Sequence, residues 1–206
     1  MRSILLPSFE YRRERWQNNR GWTREILRAD GENWAWRCSI AEIDQDGAFS
    51  RFPGRQRLMV LLRGEGLTLQ PGGGDPIALE PPHGRATYAG DSEVNAQLKD
   101  GPCRALNLIW DPLRCEAELL HRPLVGPMVF FAEAQVFWLI HVLSGRAIDR
   151  QRHDGRLAEV GDTLLLTADN DHGGRFLLDG GGELLLLRLR ALSPDAVPAA
   201  PSHPPA

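Results

Sequence analysis

The chain has 206 residues, of which 42% are hydrophobic and 25% charged, with a formal net charge of −3. That is ordinary globular composition, long enough for one large or two small domains with sizeable cores. It carries no basic block of the kind nucleic-acid binding needs, and no apolar run long enough to span a bilayer.

The N-terminus, Met1 to Glu10, holds only a short apolar patch at Ile4–Leu6 before Pro7 and charged residues, so it does not read as a signal peptide and a cytoplasmic protein is expected. Cys38, Cys103 and Cys115 are an odd count without a CxxC pair, which fits buried free thiols in a reducing compartment rather than a zinc site or a disulfide framework. Lys99 is the only lysine among the basic residues.

Trp34–Ile43 has the alternation of a strand, with Trp34, Trp36, Cys38 and Ile40 on one face and Arg37, Ser39 and Ala41 on the other. Leu58–Leu62 is a second strand, closed by Gly64 and Gly66 at a turn that leads into Leu67–Leu69. Ile77–Leu79 is a short strand stopped by Pro81-Pro82, and Ala105–Trp110 is another, ended by Asp111-Pro112. Val129–Leu143 is long enough for a helix, although its aromatic and β-branched end from Phe137 favours strand. Leu164–Thr167 and Glu183–Leu192 are further apolar runs bounded by glycine. From Ser193 to Ala206 the chain is a proline- and alanine-rich tail with nothing to bury, expected to be disordered.

A weak internal repeat joins the two halves. Leu58–Gly64 resembles Leu139–Gly145, and each is followed by a turn and a short strand, Ile77–Glu80 in one copy and Leu157–Val160 in the other. Duplicated short strands with glycine turns suggest two related β-barrels of the jelly-roll kind.

Three segments carry a family resemblance: Trp16–Ile26 (WQNNRGWTREI), Trp36–Ile43 (WRCSIAEI) and Gly47–Arg57 (GAFSRFPGRQR). Tyr88–Asp91 (YAGD) and Gly101–Ile109 (GPCRALNLI) follow in the same order and spacing. Together they resemble the motifs of the HutD/Ves family over roughly residues 16 to 110. The resemblance implies an all-β bicupin with two cupin-like (RmlC-like jelly roll) β-barrels. The first would span residues 1–110 and the second, degenerate one 111–192, with the tail at 193–206. It also implies a link to histidine utilisation, as a binding or regulatory protein. Two departures stand out: Asn19-Arg20 where the family has glycines, and Ala105 where it has an aspartate.

If the face bearing Arg37 and Ser39 lines a barrel, the guanidinium needs an anion. A ligand carboxylate is one candidate, and Glu25 or Asp91 is another. Arg24 and Arg57 could join Arg37, with Trp16 and Phe52 as aromatic walls. Asn18 is placed at the same site, although Asn18 and Thr23 also suit a role in ordering their loop. The alternative is that Arg24, Glu25 and Arg37 only brace the fold.

The expected partner is a small anionic metabolite such as urocanate or a formylated or formiminated glutamate. No nucleic acid, membrane or cofactor is expected, and a homodimer is compatible with the sequence. A metal is not expected. The first half lacks the paired histidines of a cupin metal motif, and the second keeps His153 and His172 in polar loops. Ser50 lacks the surroundings of a nucleophile. The competing function is a metal-independent isomerase or hydrolase with Glu25 or Asp91 as base.

Overall fold

A computed structural model describes residues 1–150, 157–168 and 174–198. His153, His172 and tail residues 199–206 lie outside the described residues. The protein is all-β, with two short 3-10 turns and no α-helix among the described residues. No helix is long and apolar enough to cross a membrane.

The chain forms two units. One runs from Arg12 to Arg114, and the other joins Met1–Tyr11 to Cys115–Val197. The expected division near residue 110 assigned the first eleven residues to the earlier unit. Instead the apolar patch of Arg2–Leu6 pairs with Thr163–Thr167, from Arg2 opposite Thr167 to Leu6 opposite Thr163.

In the unit Arg12–Arg114, a six-stranded antiparallel sheet runs in the order Arg12–Arg15, Gly21–Arg28, Trp36–Ile43, Cys103–Trp110, Gln56–Arg63 and Arg85–Ala89. A second sheet runs in the order Gly47–Ala48, Val94–Leu98, Leu67–Pro71 and Ile77–Leu79. Ile43, Met59, Leu61, Leu69, Leu79 and Val94 meet in one core cluster drawn from both sheets. Alternation along each strand sends its apolar set to that core.

The other unit is one antiparallel sheet. Its main path is Arg2–Leu6, Thr163–Thr167, Val136–Asp149, Arg175–Ala191 and Cys115–Val125. The segment read as helix or strand resolves into two strands, Met128–Phe131 and Val136–Asp149. Its aromatic and β-branched residues suit a pleated, buried surface better than a helix. Ser193–Val197 departs from the expected disordered tail, for Pro194–Ala196 forms a 3-10 turn and Ala196 is buried.

The repeat is visible in the strand pairing. Gln56–Arg63 lies between Cys103–Trp110 and Arg85–Ala89, and Val136–Asp149 lies between Arg175–Ala191 and Thr163–Thr167. Gly64, just past Gln56–Arg63, and Gly145, within Val136–Asp149, both take positive φ, the conformation glycine adopts without strain.

Candidate functional site

Strand register sorts the inner face of the six-stranded sheet into rows. One row reads Glu25, Ser39, Asn107, Met59 and Ala86, each opposite the next. The next row reads Arg37, Ile109, Arg57 and Tyr88. Toward the other end of the strands the same face carries Ala41, Ala105 and Leu61 and enters the apolar core. The inner surface thus changes from apolar to polar along the strands, and the polar end opens into a cavity.

That cavity measures about 490 Å³. Met59 and Ala41 form an apolar floor, Trp16, Phe49 and Phe52 aromatic walls, and Arg37, Arg57 and Asn107 the polar part. Arg57 is 5% exposed. Its Nη1 donates to the Ser50 carbonyl at 3.1 Å and its Nη2 to Asn107 Oδ1 at 3.4 Å. Nε of Arg57, Nε of Arg37 and the Tyr88 hydroxyl are buried without a hydrogen-bond partner. Among the described residues neither Arg37 nor Arg57 has a carboxylate within ion-pair distance.

Aromatic rings interleave these cations. Arg55 lies 4.0 Å from the Trp34 ring, Arg37 5.2 Å from Trp34 and 5.4 Å from Phe52, and Arg57 5.4 Å from Phe52 and 5.1 Å from Tyr88. Ring faces offset part of the cost of burying a guanidinium. Burial still pulls both arginines below the ordinary guanidinium value. Glu25 opposes the shift at Arg37, Tyr88 opposes it at Arg57, and the charge of Arg37 adds to it at Arg57. Burial likewise raises the Tyr88 phenol, against the pull of Arg57.

The Phe49–Gly54 loop that supplies two walls is tied from several sides. Phe52 N donates to Gly90 O at 2.8 Å, and the Asp91 carboxylate accepts from Gly54 N. Gly90 is required there, because a Cβ would meet Phe52 O at 2.5 Å. On the opposite wall Trp16 Nε1 donates to Thr23 Oγ1 at 2.9 Å, and Trp16 meets Phe49 edge-on at 5.7 Å.

Of the residues singled out from sequence, Trp16, Asn18, Arg37, Phe52 and Arg57 line the cavity together. Ser39 is buried in the adjacent row. Asn18 also orders its loop, donating to Ala48 O and accepting from Arg20 N. Three residues lie outside the cavity lining, Glu25 at the end of the inner row. Arg24 projects to the outer face near Glu42, Glu25 sits 3.7 Å from Arg28 Nε, and Asp91 holds the Gly54 turn. Neither carboxylate considered as a base is in the lining; the acid that lines the cavity is Glu14.

At the glycine-replaced positions, Asn19 takes φ 57°, which asparagine tolerates, and Arg20 donates to the Asp46 carbonyl. Ala105 is fully buried in the apolar part of the inner face. Asn107, Glu14 and Met59 were not foreseen. Asn107 had a signal: it is the single uncharged polar residue within the apolar run ALNLIW, in phase with the inner face.

The HutD family model matches residues 8–186. An uncharacterised 21.2 kDa protein in the hutC 3' region of Pseudomonas putida is 39% identical over 118 residues, 56% of this chain. The match spans 62% of that relative's own length. Protein Ves of Citrobacter koseri is 32% identical over 194 residues, covering 88% of this chain and 93% of the relative. Among solved structures, HutD from Pseudomonas fluorescens SBW25 (formate condition) superimposes with a TM-score of 0.79 at 29% identity. It covers 93% of this chain and 100% of that one.

Proposed function

The chain belongs to the HutD family, and from that premise we propose that it binds a small anionic metabolite in the Arg37–Arg57 cavity without transforming it. Its all-β, cupin-like fold further suggests a bicupin, with each unit a cupin barrel. The observation that carries the binding reading is Arg57. It is a nearly buried cation beside a second cation, with no carboxylate within ion-pair distance among the described residues, and both have an unused N–H. Burying such a charge is costly unless an anion completes it, and a guanidinium grips a carboxylate with paired hydrogen bonds.

The cavity volume falls in the ordinary range for small ligands, and its aromatic walls suit a flat or short acid. The family name links the chain to histidine utilisation, which makes urocanate and formylated or formiminated glutamate the acids of choice. Binding of one of them would report or buffer its level, a regulatory role.

Calorimetric titration and thermal melting with urocanate, N-formylglutamate and formate test this. One of them should bind and raise the melting temperature, while absorbance or NMR shows it unconsumed. Arg57→Met should weaken binding by about 2–5 kcal/mol. The same variant should leave the melting temperature of the free protein unchanged or higher, because a buried unpaired charge is removed. If no acid shifts melting and Arg57→Met only destabilises, the rings alone brace the cations and the binding reading fails.

A further inference from the structure

The two units repeat one strand arrangement, but one strand position is filled in only one of them. Trp36–Ile43 pairs with Cys103–Trp110 on one side and with Gly21–Arg28 on the other. Its counterpart Cys115–Val125 pairs with Arg175–Ala191 along its whole length, and its opposite edge carries no strand among the described residues. Chain order explains the difference. The residues preceding Trp36–Ile43 supply its outer neighbour. The residues preceding Cys115–Val125 are Cys103–Trp110, already held between Trp36–Ile43 and Gln56–Arg63.

An open edge of 11 residues presents backbone groups that another strand can satisfy. Leu119 and Leu120 are half-buried on this strand, and Val125 is 88% exposed at its end. Glu116 is engaged with Arg190 at 3.7 Å. Glu118 and Arg122 are exposed and have no ion-pair partner among the described residues.

We propose that this edge docks a second copy of the chain, the two Cys115–Val125 strands pairing antiparallel about Leu120. In that register Leu120 meets its counterpart, and Glu118 of each strand lies opposite Arg122 of the other, so one self-complementary pattern forms two cross-strand ion pairs. A shift of the axis to Leu119 puts Glu118 opposite Leu120 and calls on Glu116, which is already paired with Arg190. Pro123, opposite Ala117 in this register, donates no N–H, so the pairing is weakest toward that end. An interface built on one strand pair falls at the small end of specific interfaces, so association is weak and concentration-dependent.

Sedimentation velocity of the full chain across a concentration series tests it. The wild type should shift from monomer to dimer. Arg122→Glu sets like charges opposite each other at both ends and should weaken association about tenfold or more. Glu118→Arg combined with Arg122→Glu should restore it. Both positions are exposed, and melting curves check that the variants stay folded. A chain that remains monomeric throughout, or a dimer that Arg122→Glu does not weaken, overturns the proposal. Failure of the double variant to restore association overturns the register.

Discussion

The six-stranded sheet carries arginines on both faces and treats them differently. On the outer face Arg13 Nε donates to Glu42 Oε2 at 2.9 Å, and Arg104 and Arg24 stand 3.5 and 3.9 Å from the other carboxylate oxygen. On the inner face Arg37 and Arg57 meet aromatic rings and a cavity but have no carboxylate within ion-pair distance among the described residues. The charge of the outer cluster is balanced by Glu42 of the protein itself, even though Arg24 Nε is also buried without a hydrogen-bond partner, so that cluster has a structural role. The inner pair leaves charge and N–H groups unused, and the proposed binding rests on that incompleteness. His141, in the other unit, shows a third solution. It is buried with Nδ1 3.0 Å from Thr163 Oγ1, and burial, only partly opposed by Asp162, pushes its pKa down to about 4. An imidazole can shed its proton to be buried, whereas a guanidinium keeps its charge at neutral pH.

Three measurements sharpen this contrast. The largest effect belongs to His141. Its folded-state pKa lies below the ordinary value of about 6.5, so the unfolded chain takes up the proton first as pH falls. Its contribution to stability is whole above pH 6.5 and is lost as pH drops toward about 4, up to roughly 3 kcal/mol in all. Denaturant titrations at pH 7 and pH 4.5 should show this fall in the wild type and a smaller one in His141→Gln. An equal fall in both would assign the acid sensitivity to other groups.

Next is Glu42→Gln. Removing the shared carboxylate strands three arginines and should cost about 2 kcal/mol, less than a fully buried pair would because Arg13 and Arg104 are half exposed. Ligand affinity should hold, since Glu42 faces away from the cavity. A drop in affinity at constant stability would show the two faces to be coupled.

The smallest effect is expected from Tyr88→Phe. The buried hydroxyl has no hydrogen-bond partner, so deleting it should leave stability unchanged or raise it by about 1 kcal/mol. A clear loss of stability would reveal a partner for that hydroxyl and weaken the account of the inner face as unsatisfied.

Much of this was legible in the residues. The glycine-closed repeat of Leu58–Gly64 and Leu139–Gly145 foretold two strands used in the same way. The phase of Trp34–Ile43 placed Arg37 and Ser39 on one face. Arg24 was grouped with Arg37, yet register sets Arg24 opposite Ile40, in phase with Glu42 and opposite in phase to Arg37. Asn107 was passed over because its role depends on Cys103–Trp110 lying between the strands of Arg37 and Arg57. The home of Arg2–Leu6 was hidden for the same reason: its partner strand lies more than 150 residues along the chain.

The sequence by itself determined several of the strands, the face shared by Arg37 and Ser39, and the family motifs, because those properties rest on a two-residue period and on turns only a few residues long; Gly21–Arg28 and Cys115–Val125 were not read as strands. Only the tertiary structure decided which arginines found an acid and which did not. That outcome depends on which strands become neighbours, and pairing between distant segments leaves no local trace.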